Sequence, residues 1–193
     1  ARGHMVLPGV LDVHVHLDLP VAGTVTADDY RSGTRAAARG GVTTVIDFAT
    51  PYQKKNGKWE TLSEAADLWL QKADGKAMID YTFHIAVTHY PQHKNELKTL
   101  VKRGFPTFKE YTVYDFSSTD GEIFSTLEQV RELGAMLLLH SETPDVLSEL
   151  IARHHTPAMM KRYKARLHAM TRPNVIEYEA IQRAITWSRE TGG

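Results

Sequence analysis

The sequence predicts an α/β chain built as a TIM-barrel-type (β/α) parallel sheet, with about five of the eight βα units such a barrel repeats. Three observations lead there. Five short runs rich in β-branched and aromatic residues recur at fairly even intervals. Most are followed by a segment with helical periodicity, and the connections between them are short. Such alternation implies parallel strands joined by right-handed crossovers.

The strand candidates are Leu11–Leu17 (LDVHVHL), Thr43–Ala49 (TTVIDFA), Asp80–Val87 (DYTFHIAV), Thr107–Tyr114 (TFKEYTVY) and Ala135–His140 (AMLLLH). Their residue types are those a pleated surface accommodates. The intervening helices carry start and stop signals. Thr26-Ala-Asp-Asp29 resembles a capping box for a helix that ends at Gly40-Gly41. Its Tyr30, Thr34, Ala37, Ala38 and Gly41 form a stripe of mostly small residues suited to packing on a sheet. Thr61-Leu-Ser-Glu64 opens a second helix that runs out near Asp74-Gly75. Leu97, Leu100 and Val101 precede Gly104, and Leu127, Val130 and Leu133 precede Gly134. From Pro144 onward the pattern is helical, with Thr143-Pro144 as N-cap and first position and a last helix over about Asn174 to Glu190.

A complete barrel takes about 250 residues, and the chain has 193. The expectation is therefore the front part of a barrel that stops before a sixth strand. A doubly wound open sheet can close at five strands and is the competing architecture. Ala1–Met5 (ARGHM) reads as a cloning remnant, which leaves 6–193 as one domain.

Composition narrows the function classes. Hydrophobic residues make up 42% and charged residues 24%, an ordinary globular balance. Lys+Arg and Asp+Glu both number 23, so the formal net charge is zero. That gives no basic surplus for nucleic acid or an anionic membrane, and no apolar run reaches the roughly 20 residues of a bilayer span. There is no cysteine, which excludes disulfides and thiolate metal sites and fits a reducing, cytoplasmic compartment. A bound metal would need nitrogen and oxygen ligands.

Three segments carry chemistry. In Asp12-Val-His-Val-His16, strand alternation places His14 and His16 on one face and Val13 and Val15 on the other, toward covering helices. Two imidazoles near one strand's C-terminal end can grip a single cation; satisfied core or surface histidines are the plainer reading. Lys109, in Thr-Phe-Lys-Glu-Tyr, is costly inside a barrel unless paired or neutralised. Either it snorkels outward, or burial lowers its pKa and its amine takes up CO₂. The carbamate so formed could bridge two metals roughly 3.5–4 Å apart. His140 follows the apolar run Met136–Leu139 and sits at the C-terminal rim where (β/α)₈ enzymes build their sites; a polar strand terminus is the alternative. Ligand-type residues on three strands at one rim are harder to dismiss than any one of them.

The order HxH, then Lys, then His resembles the amidohydrolase superfamily and, within it, the hydantoinase/dihydropyrimidinase group. PGVLDVHVHLDLP, GTVTADDYRSGTRAAARGGVTTVIDFA, DYTFHIAVT, FKEYTVY, LLLHSE and RPNVIEYEAI carry the likeness over nearly all of residues 6–193. The resemblance implies two divalent metal ions, Zn²⁺ being the expected element. His14 and His16 would bind one, a carboxylated Lys109 would bridge both, and His140 would bind the second. It implies that Tyr114 hydrogen-bonds the substrate carbonyl and its developing oxyanion, and that the loop Leu19–Gly23 with Tyr111 shapes the pocket for the ring substituent. Asp47 and Glu142 are candidate supporting acceptors. His84 is expected to make a structural hydrogen bond, and His89, His93, His154, His155 and His168 are expected at the surface.

The family also places a metal-binding His on strand six and an Asp, ligand and general base, on strand eight. A small β-sandwich from both termini belongs to the full-length enzymes. None of these has a counterpart in the 193 residues, so the chain is expected to hold half a site. The expected function is ring-opening hydrolysis of a hydantoin- or dihydropyrimidine-type cyclic amide by the parent protein, with this chain inactive alone. The missing strands are also expected to show as self-association, a homo-oligomer or a companion C-terminal fragment. Dihydroorotase and allantoinase are neighbouring substrate readings. A non-catalytic, hydantoinase-like adaptor and an inert assembly module are the rivals from other classes.

Overall fold

The structure, a computed structural model, describes residues 2–21 and 23–193. Ala1 of the expected remnant and Ala22 of the expected pocket loop lie outside the described residues. In chain order the elements are β1 (Val10–Asp12), β2 (Pro20–Val21), β3 (Thr24–Val25), α1 (Tyr30–Arg39), β4 (Val42–Ala49), β5 (Lys54–Lys55), β6 (Lys58–Trp59), α2 (Leu62–Ala73), β7 (Asp80–Ala86), α3 (Tyr90–His93), α4 (Leu97–Lys102), β8 (Thr107–Tyr111), α5 (Asp120–Leu133), β9 (Met136–His140), α6 (Pro144–His154), α7 (Pro157–Tyr163), α8 (Arg166–Thr171) and α9 (Asn174–Thr191). Hydrogen-bonded neighbours in the five-stranded sheet run β1-β4-β7-β8-β9. Among the described residues no helix is long and apolar enough to cross a membrane.

The chain divides into two compact units, Ala1–Val87 with Asn95–Phe108, and Thr88–Lys94 with Lys109–Gly193. In the first, β1 pairs with β4 and β4 with β7, both parallel, with Phe48 opposite His84 in the register. Strand alternation then sorts the side chains of β4. Asp47 turns toward α1, where the Tyr30 hydroxyl donates to it at 2.6 Å. Phe48 takes the opposite face. Tyr30, Val45, Phe83, Leu62, Ala65 and Trp69 are buried between this sheet and helices α1 and α2. In the second unit, Glu110 of β8 accepts from Thr126 of α5 at 2.6 Å. Phe108 and Glu110 therefore mark the helix-covered side of β8, and Thr107, Lys109 and Tyr111 the other. Val113, Leu147 and Ile176 form a smaller core with Leu150 and Ile151 against it.

Several boundaries differ from those the sequence predicts. The first strand is three residues long, not seven, so His14 and His16 lie beyond its end. The expected helix cover fails with it: Val13 is 53% exposed rather than under a helix. The fourth predicted strand stops at Tyr111, because Tyr114 has φ +82°, outside the β region. The expected capping box at Thr26 is displaced by three residues. Asp29 is the N-cap and exchanges hydrogen bonds with Ser32. Thr26 instead ties the β2–β3 hairpin, its hydroxyl accepting from Leu19 N at 3.0 Å. On α1, Tyr30 and Thr34 are buried but Ala38 is exposed. Thr61 with Glu64 forms the predicted box, and Gly134 ends α5 in the left-handed region. The β5–β6 hairpin was not anticipated, although Asn56-Gly57, both at positive φ, is a strong hairpin signal.

Candidate metal centre

In the first unit the segment after β1 belongs to no strand, and bonds from its neighbours hold it. His14 N donates to the Asp12 carboxylate at 3.2 Å. Val15 N donates to the Ile46 carbonyl at 3.3 Å. Leu17 N donates to Asp47 at 3.1 Å. The Val13 carbonyl lies 3.0 Å from His84 Nε2. Leu17, at 8% exposure, anchors the far end. Between these pins His14 and His16 are exposed, with ring centroids 5.2 Å apart. Both rings rest on Phe48, at 4.6 and 4.9 Å, and Phe48 in turn meets His84 at 5.0 Å. The structure thus brings the predicted pair together on one aromatic platform.

The bonds of Asp47 run to backbone amides and a tyrosine. It accepts from Leu17 N, the Tyr30 hydroxyl and Phe48 N, so it shapes the backbone rather than the imidazoles. Burial pushes its carboxyl up to about 6 in spite of those donors. Leu19 is half-buried beside the β2–β3 hairpin. The preceding Asp18, at φ +50°, offers its carbonyl to Lys72 Nζ at 2.6 Å.

In the second unit Lys109 is 6% exposed, its ammonium 5.4 Å from the Tyr111 ring centroid. Burial lowers its amine to about 8. His140 ends β9. Burial lowers its pKa too, partly opposed by Glu142, so the ring is neutral near pH 7 and keeps the lone pair a metal requires. Its Nε2 lies 3.4 Å from the Tyr114 hydroxyl and 3.8 Å from Glu142 Oε1. Arg172 Nε holds that same carboxylate oxygen at 3.2 Å. Thr112 organises the rim beneath: its hydroxyl accepts from Glu142 N at 2.7 Å and lies 3.0 Å from the His140 carbonyl. Tyr111 packs 6.1 Å from the His140 ring, and its hydroxyl is raised to about 12 by burial. Tyr114 combines 50% exposure with a positive φ. Strain of that kind in a bulky residue concentrates at functional positions.

Lys109, Tyr111, Tyr114 and His140 are thus assembled within one unit, and His14 with His16 within the other. Among the described residues no three His, Cys, Asp or Glu gather into a cation site. The donor chemistry nevertheless fits a divalent metal: nitrogen ligands, one neutral imidazole with a carboxylate beside it, and a buried amine that loses its proton readily. One expectation fails. His93 is fully buried rather than at the surface, because the short α3 turns Tyr90 and His93 inward and Gln129 of α5 donates to the Tyr90 hydroxyl at 2.8 Å. His84 makes the structural hydrogen bonds expected of it. Arg172 was missed; its place in RPNVIEYEAI was the only signal.

Comparison with known proteins gives the family and the fold. The amidohydrolase family model matches residues 5–180; the chain belongs to the amidohydrolase family. Among relatives, D-hydantoinase of Geobacillus stearothermophilus is 40% identical over 192 residues, covering 95% of this chain and 38% of its own length. Dihydropyrimidinase of Rattus norvegicus is 35% identical over 190 residues, covering 96% and 35%. A crystal structure of dihydropyrimidinase from Brevibacillus agri NCHU1002 superposes with a TM-score of 0.85 at 38% identity, over 96% of this chain and 39% of that one. The (β/α) fold class is therefore that of the hydantoinases, and the chain spans about two fifths of the length of these relatives.

Proposed function

We propose that this chain serves the hydrolytic ring opening of a cyclic amide of the hydantoin or dihydropyrimidine type. His14, His16, Lys109 and His140 are its metal ligands, for two divalent ions, with Zn²⁺ as the element and Lys109 carboxylated. The observation that supports this most is the second unit's cluster: a buried, easily deprotonated Lys109 on β8 and a neutral His140 on β9 with Tyr114 beside it. When bound, the metals would supply Lewis acidity toward a scissile carbonyl.

The chain's own residues have the remaining roles. Glu142, held by Arg172, orients His140. Tyr114 donates its hydroxyl proton in a hydrogen bond to the oxygen on which negative charge develops, and its high pKa keeps that proton in place. Tyr111 and Leu19 are assigned to substrate binding. The family's general base matches no residue of this sequence, so the 193 residues alone are inactive in this reading. Residues 6–193 are then the front portion of a barrel, joined by a second copy or a companion chain. The absence of cysteine supports a cytoplasmic location.

Zinc analysis after incubation with Zn²⁺ and bicarbonate tests the ligand set. The chain should retain zinc, and Lys109→Ala and His14→Ala should each release it. A chain that holds none at micromolar zinc would overturn the metal reading. Turnover of dihydrouracil or hydantoin by the 193 residues at enzyme-like rates, about 1–10³ s⁻¹, would overturn the inactivity.

A further inference from the structure

We infer that the buried His84 is the positioning residue for the histidine pair: it holds the Val13 carbonyl, at the peptide leading into His14, and so sets both imidazoles for a divalent cation. This rests on the reading of His14 and His16 as ligands. The geometry behind it is local to the first unit. Because β1 ends at Asp12, the peptide that aims His14 lacks the regular ladder of a central strand. A side chain from two strands away supplies the missing restraint. His84 is 4% exposed on β7, in register opposite Phe48 of β4, and reaches past that ring to Val13 O at 3.0 Å. Its other nitrogen, Nδ1, lies 2.7 Å from the Thr107 hydroxyl.

The chemistry of the partners fixes the tautomer. A carbonyl oxygen only accepts, so Nε2 carries the proton, and in the neutral ring Nδ1 accepts from Thr107. His84 is then a donor aimed at one peptide and locked by a second contact. Its ring also packs at a tilt against Phe48, on which both His14 and His16 rest. A shift of the Val13–His14 peptide would turn the His14 ring on that platform and separate the two nitrogens. Partners of this kind, one step removed from the ligands, typically influence metal affinity by about 10–100-fold.

Two substitutions of similar polarity separate this role from general stability. In His84→Gln the amide nitrogen stands as many bonds from the backbone as Nε2, so the donor to Val13 is kept. In His84→Asn the side chain ends at the level of Nδ1, so the Thr107 contact is kept and Val13 is released. Co²⁺ is the probe, titrated alone into the full chain and read by its visible absorption. His84→Gln should bind within about threefold of the unsubstituted chain, and His84→Asn about tenfold or more weakly. Equal affinities in the two variants, whether retained or lost, would overturn the inference. Should His84→Asn not fold, His84→Phe takes its place, since it keeps a ring beside Phe48 and removes the donor to Val13; an unchanged Co²⁺ affinity would then be the overturning result. If the unsubstituted chain takes up no Co²⁺, the metal reading has failed separately. Amide exchange at Val15 then decides the pinning role: faster in His84→Asn than in His84→Gln if it holds, equal in both if it does not.

Discussion

The two halves of the candidate ligand set are built in opposite ways. His14 and His16 are exposed and lie past the end of a three-residue strand, held by side chains that grip the backbone on either side of them. Lys109 and His140 sit on β8 and β9 themselves, where regular pairing sets the backbone and burial sets the chemistry. Position is the costly quantity in the first unit, and desolvation in the second. Substitutions should therefore loosen the first pair, and change the protonation of the second pair without moving it.

The largest effect should come from the platform of the first unit. Phe48 is 1% exposed and carries His14, His16 and His84 on its ring. Phe48→Ala should cost about 3–5 kcal/mol, the range for deleting a buried aromatic ring, and should broaden the His14 and His16 signals in NMR spectra. Denaturant unfolding gives the first number. A loss under 1 kcal/mol would mean that the segment is held by its hydrogen bonds alone.

Next in size is the rim of the second unit. Thr112, 5% exposed, links β8 to the His140–Glu142 turn through one hydroxyl. Thr112→Val keeps the shape and strands the Glu142 amide, at a cost of about 1–3 kcal/mol. If the second unit is set by its strands, the His140 ring should keep its chemical shift in spite of that loss. A moved shift would show that the rim, like the first segment, is positioned by side chains.

How much of this was legible beforehand follows the same division. On β8 and β9, a Lys inside a β-rich run and a His ending an apolar run were legible as costly or terminal residues, while their reading as ligands came from the resemblance alone. The HxH pair was readable as a motif, but its support was not. The bonds from His84 and Asp47 to the segment after β1 span 71 and 30 residues, and nothing local in the sequence specifies such contacts. The same holds for His93, which is fully buried at the end of the short α3, a placement that its polar neighbours in the sequence do not announce. The Thr26 box failed for a different reason: two Asx/Thr capping sets stand three residues apart, and hairpin closure by Thr26 leaves Asp29 to begin the helix.

A smaller effect concerns pH. The Asp47 carboxyl holds its proton up to about 6 in the fold, against 3.8 for the ordinary group, chiefly because of burial. Between those values the native state binds more protons than the unfolded chain, so stability should fall as pH rises from about 4 to about 6 and level off above. Acidification through this window strengthens the fold at this residue. Asp47→Asn should remove that slope whatever it does to the absolute stability. Urea midpoints at several pH values check it, and a slope unchanged in Asp47→Asn would assign the titration elsewhere.

The smallest effect is the most discriminating. His14 and His16 are exposed, and each rests on Phe48 without being enclosed by it. Replacing both by Ala should change stability by no more than about 0.5 kcal/mol, the usual range for surface substitutions, in the absence of metal. Lys109→Met is the matching change in the second unit. It removes a buried ammonium whose desolvation already lowers its pKa and keeps an unbranched apolar chain of similar length, so the melting temperature should rise. Both variants should lose zinc. With metal-free protein the pair of measurements separates the two halves: no change on one side and a gain on the other. With zinc and bicarbonate present, the unsubstituted chain should gain stability by mass action, and neither variant should follow it. A metal-free double histidine variant that melts far below the parent would show that the two rings are structural members of the first unit, and that the contrast between positioned and desolvated ligands is false.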